Sequence, residues 1–166
     1  MKQASLFSGS GNPAEEKPAG QKPGARSFDL IANIDGGARG NPGPAAYGAV
    51  KRDGKGEVIA ELAEYLGMQT NNFAEYSGLL AALEYAVREK AASVKIFSDS
   101  ELLVRQIQGR YKVNHPVLKE LFQKAKSLIT NFKYFSIEHV LRERNKEADR
   151  LVNKVLDQRP RLQSKF

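Results

Sequence analysis

Hydrophobic and polar residues alternate in the part of the chain that follows residue 27. Apolar side chains recur at every second position from Phe28 to Ile34, which predicts a β-strand that delivers Asp35 at its end. Two turn signals divide the alternating region into three strands, at residues 28–34, 46–51 and 58–66. The pattern therefore predicts a three-stranded antiparallel meander.

From about Asn72 the apolar spacing becomes that of a helix, with Glu75 expected in its first turn beside the N-terminal dipole. The same criteria predict two further strands and three further helices, with Asn145 as the cap of the last helix. The strands are at 94–98 and 135–139, and the helices are at 101–108, 116–130 and 146–156. The predicted order is βββαβααβα, with Asp99 directly after the fourth strand and Asp149 on the last helix.

The composition is that of one globular domain. The chain has 166 residues, of which 41% are hydrophobic and 27% charged, enough for a single core. No apolar run approaches the ~20 residues of a membrane helix and the first residues do not resemble a secretory signal, so we expect a cytoplasmic monomer that does not enter a membrane. Without cysteines, and with only two histidines, the chain is expected to hold any metal through oxygen ligands.

The two ends of the chain differ in composition from the middle. Residues 1–26 are poor in large apolar side chains and are expected to form a disordered arm, ahead of a folded domain at 27–157 and a basic tail at 158–166. Four residues near the start of the arm resemble the motif by which bacterial replication and repair proteins dock on the sliding clamp: Gln3, Ser5, Leu6 and Phe7. The alternative is a tail without a partner.

Four acidic residues each stand in a distinctive local phrase. They are Asp35 in IDGGARGNPGP, Glu75 in TNNFAEYSGLLAAL, Asp99 in FSDSEL and Asp149 in RNKEADRLVN. Carboxylates that recur at strand ends and on helices suit a magnesium-dependent phosphoryl-transfer site. The net charge of +7 is compatible with a polyanionic partner, although much of the excess lies in the two terminal segments.

Together these phrases resemble ribonuclease H type 1, over residues 28–157. The resemblance implies an α/β fold of the ribonuclease H type, a mixed five-stranded sheet with helices on both faces. It implies that Asp35, Glu75, Asp99 and Asp149 form the catalytic, metal-binding set. The expected reaction is endonucleolytic hydrolysis of the RNA strand of an RNA–DNA hybrid, leaving 3′-hydroxyl and 5′-phosphate ends.

The repulsion among four crowded carboxylates predicts that the site recruits divalent cations. Magnesium is the expected ion, with manganese as a substitute. Two ions roughly 3.5–4 Å apart would flank the scissile phosphate, one activating a water and the other stabilising the leaving oxygen. Asp35 is the best candidate to bridge both ions, with Glu75 and Asp99 on the first and Asp149 on the second.

The resemblance also implies substrate contacts beside the carboxylates. Asn41, Thr70, Asn71 and Asn72 stand where the family contacts the minor groove and phosphates, and Asn114 is a weaker candidate for a phosphate pocket. The structural alternatives are that Asn72 caps the helix and that Asn41 favours its turn.

The loop before the last helix departs from the familiar bacterial pattern because it contains no histidine. Arg142 or Arg144 would contact phosphate there, but neither can act as a base near neutral pH. His139 is expected to be packed on its strand face and His115 to be a loop residue. We therefore expect neither histidine to be essential for the chemical step.

A second departure is the missing basic handle, a Lys- and Trp-rich helix found in some family members. The chain has no tryptophan and only the brief segment 109–112 in its place. We therefore expect a weaker grip on the hybrid, which basic residues in the tails would offset electrostatically.

Two other classes of protein remain as alternatives. One is a different nuclease on the same fold, such as a junction resolvase or a DNA exonuclease, which shares acidic clusters but not the GNPGP turn followed by TNN-x-x-E. The other is a non-catalytic hybrid-binding module, although such modules typically lose at least one carboxylate. The biological role stays open among primer removal, R-loop clearance and repair, with DNA replication as the expected setting.

Overall fold

The computed structural model describes residues 27–159, so the clamp-like motif at 3–7 and the chain beyond residue 159 lie outside the described residues. The strands are β1 (Leu30–Ala38), β2 (Gly43–Asp53), β3 (Val58–Gln69), β4 (Ser93–Ser98) and β5 (Tyr134–His139). The α-helices are α1 (Asn71–Arg88), α2 (Glu101–Ile107), α3 (Pro116–Ile129) and α4 (Lys146–Gln158), and a short 3₁₀ turn spans Arg142–Arg144. The predicted order of strands and helices is confirmed.

The strands form one mixed sheet in the order β3-β2-β1-β4-β5. The first three strands pair antiparallel, as expected of a meander, and β4 lies parallel to both β1 and β5. Strand β1 is therefore central, with β2 on one side and β4 on the other. The predicted five-stranded sheet is confirmed.

The main core lies on one face of this sheet. Alternate side chains of β1, including Ala32 and Ile34, point into it, and the same core contains side chains of α1, α2 and α3. Helix α4 covers the other face, where Val152 and Leu156 pack on Ala46 of β2. Helices thus lie on both faces, as predicted. Within residues 27–159, no helix is both long and apolar enough to cross a bilayer.

Two predicted positions along these elements are wrong. Asp35 does not end β1: pairing with β4 stops at Ile34, but pairing with β2 carries the strand on to Ala38. Glu75 lies beyond the first turn of α1, because Thr70 caps the helix by accepting a hydrogen bond from the Phe73 N–H. The predicted contribution of the helix dipole at Glu75 is therefore reduced, since that effect fades after the first turn.

The structure corrects the prediction for His139 and adds to those for His115 and Asn145. His139 is exposed rather than packed, because it is the last residue of an edge strand and lies beyond the core. His115 has a structural role in the loop, since its Nδ1 accepts a hydrogen bond from the Val117 N–H at the start of α3. Asn145 occupies the cap position of α4, but its side chain makes no capping hydrogen bond.

Candidate active site

Three of the four predicted carboxylates meet at one edge of the sheet. Each of Asp35, Glu75 and Asp99 offers an oxygen, and these oxygens all lie within 4.8 Å of one another. Asp35 comes from β1 and is 7% exposed, Glu75 comes from α1, and Asp99 follows β4. Because β1 and β4 are parallel, their carboxyl ends reach the same edge, which is where open α/β sheets place their ligands.

Two glycines bring helices close to Asp35 from opposite faces of the sheet. A Cβ at Gly36 would overlap the backbone of Ala74, so the missing side chain lets α1 lie directly against β1. Gly48 is the partner of Asp35 on β2, and a Cβ there would lie 2.7 Å from the Ala148 carbonyl oxygen of α4. Glycine at these positions therefore sets how closely Glu75 and Asp149 approach the central strand.

Asp149 lies beside the cluster but is not one of the three residues within 4.8 Å. It is half-buried on the first turn of α4, and its carboxylate oxygen accepts a hydrogen bond from Asn153 Nδ2 at 3.3 Å. Its charge nevertheless contributes to raising the pKa of both Asp35 and Asp99. The structure thus groups three carboxylates tightly and adds the fourth at the rim.

The electrostatics of the site oppose ionisation. Burial, followed by the charges of Asp99 and Asp149, raises the pKa of Asp35 to about 8, against a partial offset from the Gly36 N–H. Burial and the neighbouring Asp35 and Asp99 raise the pKa of Glu75 well above its usual value. Burial raises the pKa of Asp99 as well. Without a cation, the folded protein therefore disfavours charge on these groups.

The donor set fits a hard divalent cation. Glu75 Oε1 is buried and, within residues 27–159, has no hydrogen-bond partner. A buried acceptor without a donor is costly, and a metal ion supplies the missing partner. The ligands available are all carboxylate oxygens, which suit magnesium, manganese and calcium rather than softer metals.

Asn145 is a site residue whose role the sequence reasoning missed. It is 1% exposed, and its Nδ2 donates to the Ile34 carbonyl at 2.8 Å while its Oδ1 accepts from Asn33 Nδ2 at 2.9 Å. Its side chain also lowers the pKa of Asp99 by hydrogen bonding. The residue joins the start of α4 to β1 next to Asp35. In the sequence Asn145 has the position of a helix cap, and nothing near it in the chain indicates its partners in β1.

Two of the candidate substrate residues near α1, Asn41 and Asn71, bond to one another. Asn41 Oδ1 accepts from the Asn71 N–H at 3.0 Å, and Asn71 Oδ1 accepts from the Ala38 N–H at 2.8 Å. Both residues are exposed, as are Thr70 and Asn72. The oxygens thus hold the β1–β2 turn against the start of α1. The side-chain amide N–H groups of Asn41 and Asn71 have no partner within residues 27–159.

The other candidate substrate residues are dispersed. Arg142 is close enough to the carboxylates to lower the pKa of Glu75 and Asp99 against the opposing effect of burial. Arg144 lines a cavity of about 220 Å³ beside Asn145. Asn114 lines a different cavity, of about 390 Å³, between α2 and α3. Of these residues, the structure brings Arg142 to the carboxylates.

Comparisons with known proteins agree with this architecture. Residues 33–155 match the family model described as reverse transcriptase-like. The bifunctional protein Rv2228c of Mycobacterium tuberculosis is 45% identical over 129 residues, which cover 77% of this chain and 35% of that protein. Ribonuclease HI of Halobacterium salinarum is 43% identical over 132 residues, covering 80% of this chain and 66% of that protein. The chain thus spans only about a third of the length of the mycobacterial relative.

Solved structures show the same likeness. The N-terminal RNase H domain of Rv2228c superposes with a TM-score of 0.76, covering 79% of this chain and 95% of that chain. RNase H1 of Halobacterium salinarum, 42% identical, superposes with a TM-score of 0.75 over 78% and 98%. LC11-RNase H1, solved in complex with an RNA/DNA hybrid, is 43% identical, with a TM-score of 0.73 over 78% and 97%.

These likenesses define a domain of the ribonuclease H fold with an acidic cluster at the expected edge of the sheet. The match extends through sequence as well as fold, at more than 40% identity over nearly the whole of each solved domain. The chain belongs to the ribonuclease H type 1 family.

Proposed function

We propose that this chain is a metal-dependent endoribonuclease that hydrolyses the RNA strand of RNA–DNA hybrids, leaving 3′-hydroxyl and 5′-phosphate ends. The observation that carries the proposal is the group of three carboxylates within 4.8 Å, with an unpartnered buried oxygen on Glu75. It is supported by relatives named ribonuclease HI and RNase H1, one of them solved with an RNA/DNA hybrid.

In this proposal the carboxylates hold magnesium, with manganese as a substitute. Asp35, Glu75 and Asp99 would hold one ion, and Asp35 with Asp149 would hold a second. When bound, the metal supplies Lewis-acid stabilisation of the phosphoryl oxygens and activation of a water. The raised pKa values of Asp35, Glu75 and Asp99 mean that cation binding and loss of protons are coupled at this site.

The residues around the carboxylates would position the substrate. Arg142, whose charge already acts on Glu75 and Asp99, would attract the phosphate backbone towards the carboxylates. The free amide N–H groups of Asn41 and Asn71 are donors suited to 2′-hydroxyls and phosphates on a minor-groove face. Thr70, Asn72, Arg144 and Asn114 are further candidate contacts.

The proposal extends to the terminal segments and the cellular setting. Residues 1–26 would act as an arm whose Gln3, Ser5, Leu6 and Phe7 dock on a bacterial sliding clamp. The domain at 27–157 would be followed by a basic tail at 158–166. The enzyme would be a cytoplasmic monomer with a role in DNA replication.

Cleavage of a labelled RNA–DNA hybrid tests the central claim. The wild type is expected to cut the RNA strand internally with magnesium or manganese and to do nothing in EDTA. Asp35→Asn is expected to lose roughly a thousandfold or more in rate, since it removes a central carboxylate of the metal site. Single-stranded RNA, RNA–RNA and DNA–DNA duplexes are the matched substrates.

The outcome on those substrates separates the alternatives. Cleavage of a DNA duplex or a four-way junction in preference to the hybrid would replace the proposal with another nuclease of this fold. Binding of the hybrid without metal-dependent cleavage would indicate a non-catalytic module.

A further inference from the structure

A buried glutamine outside the carboxylate site links two elements that the sequence does not connect. Gln106, in the last turn of α2, is 5% exposed. Its Oε1 accepts a hydrogen bond from Tyr76 Oη at 2.7 Å, and its Nε2 donates to the Lys112 carbonyl oxygen at 3.2 Å. Both ends of the amide are therefore satisfied, as a buried polar side chain requires.

One end of this link is rigid. Tyr76 is 1% exposed, belongs to the main core and follows Glu75 directly on α1. Burial raises the pKa of its phenol further above the normal value, so the hydroxyl remains a donor over the working pH range. The phenol thus offers a fixed point on the helix that carries one of the site carboxylates.

The other end holds the segment 109–115, which joins α2 to α3. Gly109 turns the chain out of α2 with a φ of +82°, and the N–H groups of Arg110 and Tyr111 bond back to the Arg105 carbonyl. Over residues 112–114, the bond from Gln106 is the only hydrogen bond to the backbone within the part of the chain that the structure describes. Besides the packing of Val113 against the main core, the bond from Gln106 is therefore what fixes the backbone of this part of the segment.

The held segment carries groups suited to phosphate. Lys112 and Asn114 are exposed, and with Lys119 and Tyr111 they border the cavity of about 390 Å³. Ammonium and amide donors are typical contacts to the phosphate backbone of nucleic acids. This segment also stands where some family members carry a basic handle, so its few donors must be well placed to be effective.

We propose that Gln106 is a positioning residue that holds segment 109–115 against α1, so that Lys112 and Asn114 meet the hybrid backbone at a fixed distance from the carboxylates. The inference rests on the proposed function, because it names a residue that acts on the same substrate. Gln106 itself is buried and is not one of the clustered carboxylate-site residues. Its effect is on binding rather than on the chemical step.

Gln106→Leu removes both hydrogen bonds at a similar side-chain size. Since a hydrogen bond of this kind is worth a factor of roughly three to ten, KM for the hybrid should rise by about that factor while kcat stays within about twofold. The Kd of a fluorescent hybrid, measured by anisotropy in EDTA, should rise in parallel. Tyr76→Phe is the matched control: it keeps the bond to Lys112 and should change KM less.

A second variant distinguishes loss of positioning from loss of stability. Gln106→Leu leaves the Tyr76 hydroxyl buried without a partner, which the double variant Tyr76→Phe, Gln106→Leu avoids. The double variant should regain stability but keep the raised KM. Hydrogen exchange of the free protein should be faster at Arg110 and Tyr111, whose N–H groups bond to the Arg105 carbonyl, in both variants, with the amides of α1 and β1 unchanged.

The readouts separate this inference from the proposed function. A wild type that fails to cleave the hybrid overturns the function, while the exchange measurement still reports on Gln106. Unchanged exchange at Arg110 and Tyr111 in the double variant overturns the positioning role. So does a double variant that loses kcat at an unaltered KM, because a positioning residue for binding would not act in that way.

Discussion

Two aspartates at opposite ends of the central strand have contrasting surroundings. Asp29 lies just before β1, and its Oδ2 accepts hydrogen bonds from the backbone N–H groups of Ala92 and Ser93 at 2.8 and 3.2 Å. Asp35 lies near the other end, where its neighbours are the carboxylates of Glu75, Asp99 and Asp149. The backbone donor to its side chain is the adjacent Gly36 N–H.

The comparison shows at which end of β1 an ionised carboxylate is unfavourable. At the Asp29 end, backbone donors satisfy the carboxylate, and the contact ties β1 to the start of β4. At the Asp35 end, burial and like charges make the ionised forms unfavourable, which a bound cation would reverse. The same residue type thus ties two strands together at one end of β1 and forms part of the proposed metal site at the other.

The largest change in the free energy of unfolding is expected from replacing each aspartate in turn with asparagine. In EDTA at pH 7, Asp35→Asn should stabilise the fold by on the order of 3 kcal/mol. On folding, the wild-type carboxyl must either take up a proton, because its pKa rises to about 8, or be buried as a charge, and asparagine avoids both. Asp29→Asn should lower stability, because it weakens two hydrogen bonds to backbone N–H groups. Urea unfolding of both variants measures the difference.

Magnesium sharpens the same test. It should raise the Tm of the wild type and of Asp29→Asn, since a ligand that binds only the folded state stabilises it, and should raise that of Asp35→Asn much less. If Asp35→Asn were less stable than the wild type in EDTA, the carboxylate of Asp35 would not be unfavourable for folding.

A smaller loss of stability is expected when a side chain is added at the glycine that lets α1 approach Asp35. Gly36→Ala should cost roughly 1–3 kcal/mol in stability and reduce cleavage, because its Cβ would overlap the Ala74 backbone and push α1 and Glu75 away. Gly37→Ala is the matched control on the next residue, where the nearest atom, Asn71 Oδ1, lies 4.0 Å from the added Cβ. Denaturant unfolding together with magnesium affinity compares the two. Equal losses in both would mean that helix approach is not what Gly36 provides.

The smallest change in stability is expected at Lys51. Besides Glu75 Oε1, its Nζ is the other buried side-chain atom without a hydrogen-bond partner within residues 27–159. Lys51 is 0% exposed, and its ammonium lies 4.5 Å from the centre of the Tyr85 ring. Burial, and secondarily Arg88, lowers the pKa of Lys51 from 10.5 to about 8. Lys51→Met should therefore stabilise the protein at pH 7 by roughly 1–2 kcal/mol after loss of the ring contact.

The pH dependence of that gain follows from the lowered pKa. The unfolded chain binds the proton more tightly than the folded one, so wild-type stability should rise between pH 8 and 10.5 and the advantage of Lys51→Met should shrink. Urea unfolding at pH 7 and pH 10 checks this, with exposed Lys55→Met as a variant that should change little at pH 7. A gain that is the same at both pH values would show that Lys51 carries no penalty for its charge.

Much of the fold and the identity of the acidic cluster could be predicted because the signals are local. Alternation, helical spacing and turn residues depend on neighbours in sequence, and they yielded the order of strands and helices. The mixed sheet was what the resemblance to the family implied. The phrases around Asp35, Glu75, Asp99 and Asp149 indicated the family. The catalytic and binding roles of the individual residues stay predictions.

What the sequence could not decide depends on contacts between distant residues. The end of β1 was misplaced because β2 extends the strand after β4 stops, and His139 was misjudged because an edge position lies outside the core. Asn145 was interpreted as a cap although its partners lie more than a hundred positions away in β1.

The sequence by itself thus determined the elements, the charges and the chemical type of the metal ligands, since these follow from residue identity and short-range periodicity. The tertiary structure alone decided how closely the carboxylates meet, through the bare backbone at Gly36 and Gly48, and which buried amides hold the neighbouring segments. Packing of two helices onto opposite faces of one strand sets those distances, and no local pattern in the chain encodes them.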